Sequence, residues 1–278
     1  PDDDLIAQDD RSFTIGQFIW TGIDYLGEPT PYYSYWPSRS SYFGAVDLAG
    51  LPKDRYYLYR AQWNKREHTL HLLPHWTWPG REGKTTPVYC YTDYPQAELF
   101  VNGRSQGRIA KCDTARLDRY RLRWNNVVYQ PGELKVVAYD ADGRKAAEKI
   151  IRTAGQPAAL RLETDCKQLS PNGEDLAYIT VTMVDEDGNE CPDADDLISF
   201  EVSGAGSFRA VCNGDATSLE SFTTPQMRLF HGKLVLTVQS SEHEGSITVK
   251  AKDARHHLTG ILQLINIKQV PIRIKARK

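Results

Sequence analysis

The chain has 278 residues, 40% of them hydrophobic, and a formal charge of −2 at pH 7, enough apolar material for at least two folded domains and far from a disordered composition. That charge balance argues against nucleic acid or an anionic membrane as partner, since both call for a broadly basic surface. No apolar run approaches the roughly 18 residues of a spanning helix, so membrane insertion is not expected.

Residues 1–12 are acidic and read as a frayed, solvated turn. Residues 16–25 then read as a short apolar strand that delivers Trp20 and, four positions later, Asp24. Glu28-Pro29-Thr30-Pro31 forbids a helix and opens a loop rich in Pro, Tyr and Trp. After the segment 42–54, residues 55–63 carry Tyr56, Leu58, Tyr59 and Trp63 at mixed three- and four-residue spacing, which predicts a helix with one apolar face.

Everything after residue 63 reads as β structure. Alternating runs at 86–92, 97–101, 132–139 and 145–151 predict strands, with tight turns at Asn102-Gly103 and Asp142-Gly143. This rhythm over 64–155 fits an immunoglobulin-like sandwich. Gly155-Gln156-Pro157 marks a join. Beyond it, runs at 159–164, 176–184, 198–202, 233–238 and 246–251 predict a second sandwich over 156–278, with a turn at Asp187-Gly188. Lys268, Arg273, Lys275, Arg277 and Lys278 form a short basic tail, read as a solvated terminus.

Three stretches carry a family resemblance. The order from Gly16-Gln17-Phe18-Ile19-Trp20 through Tyr42-Phe43-Gly44 to Tyr59-Arg60-Ala61-Gln62 resembles the last strand, loop and helix of the TIM barrel in family 2 glycoside hydrolases. Leu99-Phe100-Val101-Asn102-Gly103 and Trp124-Asn125-Asn126-Val127-Val128-Tyr129-Gln130-Pro131-Gly132 resemble recurrent motifs of that family's non-catalytic β domains. Residues 175–181 and 211–216 resemble its final immunoglobulin-like domain. The resemblance implies a mostly β chain: two antiparallel sandwiches preceded, over 1–63, by the last βα unit of a (β/α)₈ barrel. Such a barrel needs about 200 residues or more. The family's two catalytic glutamates lie on earlier barrel strands, so neither is carried over. The chain alone is expected to be inactive, and its parent to be a retaining exo-β-glycosidase.

By resemblance, Trp20 at the C-terminal end of the last barrel strand is a platform for a sugar ring, and Asp24 lies beside it. The implied partners are a β-galactoside and the rest of the barrel, with room for a homo-oligomer. Analogy places the parent in the periplasm or outside the cell. Glucuronidases of the family carry a lysine just before the glycine that Gly44 matches. Tyr42 and Phe43 offer no cation there, although Arg39 is near, which favours a β-galactosidase over a β-glucuronidase. The asparagine of metal-dependent members is also missing, so no metal or other cofactor is expected.

Several other groups invite a bolder reading. Asp24 and Glu28 do not share a helix face, because Gly27 and Pro29 forbid the helix. His68, His71 and His75 would need a helix that Pro74 interrupts, so packing is expected instead. The acidic runs 185–190 and 193–196 lack the spacing of a calcium loop and read as solvated hairpin tips. The five cysteines, Cys90, Cys112, Cys166, Cys191 and Cys212, contain no CxxC pair. Buried thiols are expected, with one disulfide left open. A free-standing carbohydrate-binding module would instead display Trp76, Trp78 and Trp124 as an exposed platform, and a purely structural adhesion module would have no use for the leader.

Overall fold

The computed structural model describes residues 2–30, 34 and 39–268; part of the aromatic loop and the basic residues beyond Lys268 lie outside them. Two compact units result, Pro1–Gly155 with Ala216–Ser218, and Gln156–Asp215 with Leu219–Lys278.

The acidic N-terminal stretch is not a frayed turn. It is helix α1 (Asp2–Asp10), with Leu5 buried. Leu5 packs with Leu58, Tyr91 and Tyr120, residues 53 to 115 positions away. The acids that looked merely solvated meet arginines: Asp3 pairs with Arg116 at 2.6 Å, Asp10 with Arg119 at 2.8 Å, and Asp2 with Arg121. Tyr120 also donates its hydroxyl to Asp9 at 2.8 Å. Acidic residues in a first helical turn additionally suit the positive end of the helix dipole.

Helix α2 (Asp54–Trp63) lies where the periodicity predicts it, but buries a different face. Leu58 and Ala61 are its buried residues, whereas Tyr56 and Trp63 are exposed. Tyr57 and Tyr59 spend their rings on stacking, the first with His71 at 3.8 Å and the second with Trp63 at 4.9 Å.

The first unit's strands are Leu70–Leu73 (β1), Val88–Thr92 (β2), Gln96–Val101 (β3), Arg104–Ala110 (β4), Leu122–Trp124 (β5), Glu133–Tyr139 (β6) and Lys145–Arg152 (β7). They form an antiparallel sheet β1-β2-β5 and another of order β4-β3-β6-β7. Alternate residues Ala97, Leu99 and Val101 of β3 and Leu134, Val136 and Ala138 of β6 point into one core with Val88, Cys90 and Trp124. Asn102 and Gly103 form the β3–β4 turn with φ of 48° and 78°, the left-handed geometry that this dipeptide tolerates. Asn102 has a second task. Its side chain donates to the Pro131 carbonyl at 3.0 Å and accepts the Glu133 N–H at 2.7 Å. Gly132 comes so near that an added Cβ would lie 2.1 Å from the Asn102 amide oxygen. The two family motifs of this unit are therefore one contact.

The second unit is a larger sandwich of Ala159–Thr164 (β8), Gln168–Leu169 (β9), Leu176–Val184 (β10), Leu197–Gly204 (β11), Gly206–Cys212 (β12), Gln226–Arg228 (β13), Lys233–Ser240 (β14), Gly245–Asp253 (β15) and Leu258–Asn266 (β16). The sheets run β12-β14-β10-β8 and β13-β11-β15-β16-β9, antiparallel except for the short β16–β9 pair. Strands with clean alternation are where the sequence puts them. β16 escapes a pattern reading because Ile261 and Ile265 are exposed while Leu264 is buried, so both faces carry apolar residues. β12 breaks register at Phe208/Ala210, which hides its period.

The docking of α1 is titratable. Arg116 and Arg119 hold the carboxyls of Asp3 and Asp10 below the usual carboxylate range. The folded chain then binds fewer protons than the unfolded one, so this stabilisation is present above about pH 4 and lost as pH falls through the folded values. Protection factors of the amides in residues 2–10 are expected to fall at pH 3, or in 1 M salt at pH 7, before those in β3 and β6 change.

Candidate functional site

The leader brings its chemistry to one place without a sheet of its own. The strand expected over 16–25 is not formed: residues 15–20 adopt no regular structure, and no described residue pairs with them in a ladder. Pairing starts only at Thr21, whose carbonyl accepts the Ala45 N–H at 3.1 Å. The Gly22 carbonyl accepts from Val46 and the Val46 carbonyl from Asp24, at 2.9 and 3.0 Å, giving a parallel bridge between Ile23 and Val46. Further along, Tyr25 and Ser41 exchange hydrogen bonds through the Tyr25 carbonyl and the Ser41 hydroxyl.

Trp20 is 71% exposed, and the peptide bond that follows it is cis. Its indole N–H reaches the Tyr25 hydroxyl at 3.3 Å, and the two rings meet edge-on with centroids 6.3 Å apart. Tyr25 in turn donates to Glu28, which holds the phenol protonated by raising its pKa. An open cleft of about 460 Å³ lies beside Trp20, lined also by Gln17, Phe18, Arg55 and Tyr59.

Asp24 is the opposite of Trp20: its side chain has no solvent exposure. One carboxylate oxygen accepts the Gly44 N–H at 2.7 Å. The other faces the Lys53 ammonium at 2.6 Å, an ion pair whose approach is off the line of a well-aimed hydrogen bond. Lys53 also lies 4.0 Å over the Tyr42 ring. Sequence reading missed this lysine. It sits 29 residues beyond Asp24, at the N-cap of α2, and looks like the start of a helix. Asp47 accepts from Ala49 and Leu51, both at 2.9 Å, with burial pushing its carboxyl pKa up.

The remaining groups are engaged elsewhere. His68 meets Asp93 at 2.5 Å and His71 meets Asp54 at 2.7 Å, while His75 stacks on Trp78 at 4.1 Å. Trp76 and Trp124 are buried and donate to the carbonyls of Gln130 and Gly107, at 3.0 and 2.9 Å. No exposed tryptophan platform of Trp76, Trp78 and Trp124 therefore exists. Asp185 accepts from Asp187 and Asn189 within its own turn. Asp196, Asp253 and His256 come together in the second unit, and the Arg255 guanidinium already sits 2.9 Å from Asp196. No disulfide joins the cysteines. Cys90 is buried, which raises its thiol pKa to about 12, whereas Cys112 is exposed.

Gly44 is the tightest point of the leader. A Cβ there would lie 2.3 Å from both the Asp24 nitrogen and the Val46 carbonyl oxygen, and 2.6 Å from the Ile23 carbonyl carbon. All three are backbone atoms, so relief needs the two segments to part. Gly44→Ala is expected to destabilise the leader by about 1–3 kcal/mol or more, read by exchange of the Asp24 and Val46 amides. The β6 core should keep its protection.

Residues 160–257 match the model of glycoside hydrolase family 2 C-terminal domain 5, and residues 83–147 match a domain of unknown function. A β-galactosidase from Bacteroides ovatus is 47% identical over 87% of this chain and 27% of its own length. A β-glucuronidase from Formosa agariphila is 28% identical over 75% of this chain and 20% of its own. A crystal structure of a family 2 member from Bacteroides cellulosilyticus superposes with a TM-score of 0.85 at 28% identity, covering 96% of this chain and 38% of that one. The chain thus spans about a quarter of the length of the curated relatives it matches. The 47% identity over 87% of this chain, together with the matched C-terminal domain model, leads to one conclusion: the chain belongs to glycoside hydrolase family 2.

Proposed function

We propose that this chain is the non-catalytic C-terminal part of a retaining exo-β-glycosidase that hydrolyses terminal β-D-galactosides, with its sandwiches as scaffold and its leader framing the mouth of the active site. The observation that carries this reading is the leader's apolar exposure. Phe13, Ile15, Phe18, Trp20 and Ile23 are all exposed within eleven residues, and Ile15 and Phe18 are fully so. Side chains of both faces of an extended segment stay apolar when both faces are to be covered, as in the parallel strands of a barrel. The partner for those faces is the rest of the barrel.

At the C-terminal end of that strand Trp20 takes the apolar face of a sugar ring, a contact worth about 0.5–2 kcal/mol. A retaining mechanism needs two carboxyl groups about 5 Å apart, one as acid and base and the other as nucleophile. Asp24 is committed to Gly44 and Lys53, and Glu28 to Tyr25. Neither is offered as half of such a pair. Galactose is favoured over glucuronic acid because neither Tyr42 nor Phe43 is a cation and Lys53, which lies over the Tyr42 ring, has its charge met by Asp24. The relative with 47% identity, itself a β-galactosidase, supports the same choice.

Incubated with an aryl β-galactoside, the present chain is expected to match buffer. In the full-length protein, Trp20→Ala should lower kcat/KM by a factor equivalent to about 1–3 kcal/mol while the unfolding midpoint hardly moves. Turnover by the present chain would sink the scaffold reading. Preference of the full-length protein for an aryl β-glucuronide would sink the galactoside reading.

A further inference from the structure

Lys53 is a poor residue for its position. It is the N-cap of α2, makes no side-chain capping bond there, and sets a positive charge at the positive end of the helix dipole. A serine or aspartate would serve the helix better, so the lysine answers another demand. That demand is Asp24, whose fully buried carboxylate lies 2.6 Å away.

The pair stands behind a row of aromatic rings. Trp20 meets Tyr25 at 6.3 Å, and Tyr25 meets Phe43 at 6.4 Å with an interplanar angle of 36°. Trp20 and Tyr25 belong to one segment and Phe43 to another, so the spacing of the row depends on what joins the segments. Beside the backbone bonds of Thr21, Gly22 and Tyr25, three joining contacts gather around Asp24: its carboxylate accepts the Gly44 N–H, its own N–H donates to Val46, and the Lys53 N–H donates to the Ala45 carbonyl at 3.0 Å. The absence of a Cβ at Gly44 lets them close.

We propose that Asp24 and Lys53 form a positioning pair: without touching the sugar, they set Phe43 against Trp20 and Tyr25, so that these three rings together form the surface on which the sugar is seated. This rests on the reading that Trp20 contacts the substrate. Physically, a buried carboxylate is tolerated because it is both hydrogen-bonded and charge-paired. Removing the ammonium leaves the buried carboxylate without its counter-charge, so it gains by turning toward water, and that movement loosens its hold on Gly44. A shift of about 1 Å in a group that seats the substrate can cost on the order of 100-fold in rate.

The test has two arms. In the present chain, Lys53→Met and Lys53→Ser should each speed exchange of the Gly44 amide by about tenfold or more, leaving β3 and β6 unchanged. Lys53→Arg should restore protection, as should the double variant Asp24→Asn/Lys53→Met, which removes both charges and keeps an acceptor for Gly44. In the full-length protein, Lys53→Ser should lower kcat/KM for an aryl β-galactoside by about 10–100-fold with kcat carrying most of the loss, and the double variant should recover part of it. Unchanged Gly44 exchange in both single variants overturns the proposal. So does a Lys53→Ser enzyme with unchanged kcat/KM per folded molecule, because the pair would then be structural only. If the unaltered full-length protein ignores every aryl β-glycoside, the functional reading falls by itself, and the exchange arm still decides for or against the pair.

Discussion

The order of the first 63 residues depends on their attachment to the first β-sandwich. On its own this leader buries little: among its described residues Leu5, Ala45, Leu58 and Ala61 are the buried apolar ones, against a row of exposed ones from Phe13 to Leu26. Tyr91 and Tyr120 complete the apolar cluster around Leu5 and Leu58. The aspartates of α1 then engage Arg116, Arg119 and Arg121. Exposed ion pairs contribute little individually. Their value here is direction, because four acids on one short helix meet partners from one loop and fix which way the helix lies.

That attachment carries over to the site through α2. Leu58 seats α2 in the same cluster, and the N-cap of α2 is Lys53. The charge that neutralises Asp24 is thus delivered by the helix that the sandwich holds. Trp20 and Asp24, four residues apart, end in opposite environments for a simple reason. The backbone around Asp24 is closed over by 44–46, whereas no described residue covers Trp20. One is a presented surface and the other an internal clamp.

The sandwiches show the same economy in polar groups. Asn102 turns the β3–β4 hairpin and also fastens the Pro131–Glu133 loop. In the second unit, Asn266 closes β16 by donating to the carbonyls of Ala205, Ser241 and His243. Each asparagine side chain meets two or more backbone groups far from it in sequence, where an unmet carbonyl or N–H would be costly.

Much of this was legible in the chain of letters. Period-two alternation at 97–101, 134–138, 176–184 and 233–238 and the Asn-Gly and Asp-Gly turns determined most strands and the mostly β class, because a half-buried strand must alternate and a tight hairpin needs left-handed residues. The ordered motifs 16–62, 99–103 and 124–132 determined the family. What the letters did not contain was anything set by pairing across distance. The acidic start is a helix because arginines more than 100 residues later receive it. α2 buries Leu58 and Ala61 instead of Tyr56 and Trp63 because of what it packs on. Trp76 and Trp124 are core because their rings pack in the first unit's apolar cluster while their indole N–H groups find the backbone carbonyls of Gln130 and Gly107. Lys53 belongs to Asp24 because Gly44 has no side chain to keep the two segments apart. Local pattern decides what a segment can become, whereas charge pairing, burial and close approach exist only between segments, and for these the tertiary structure alone decided.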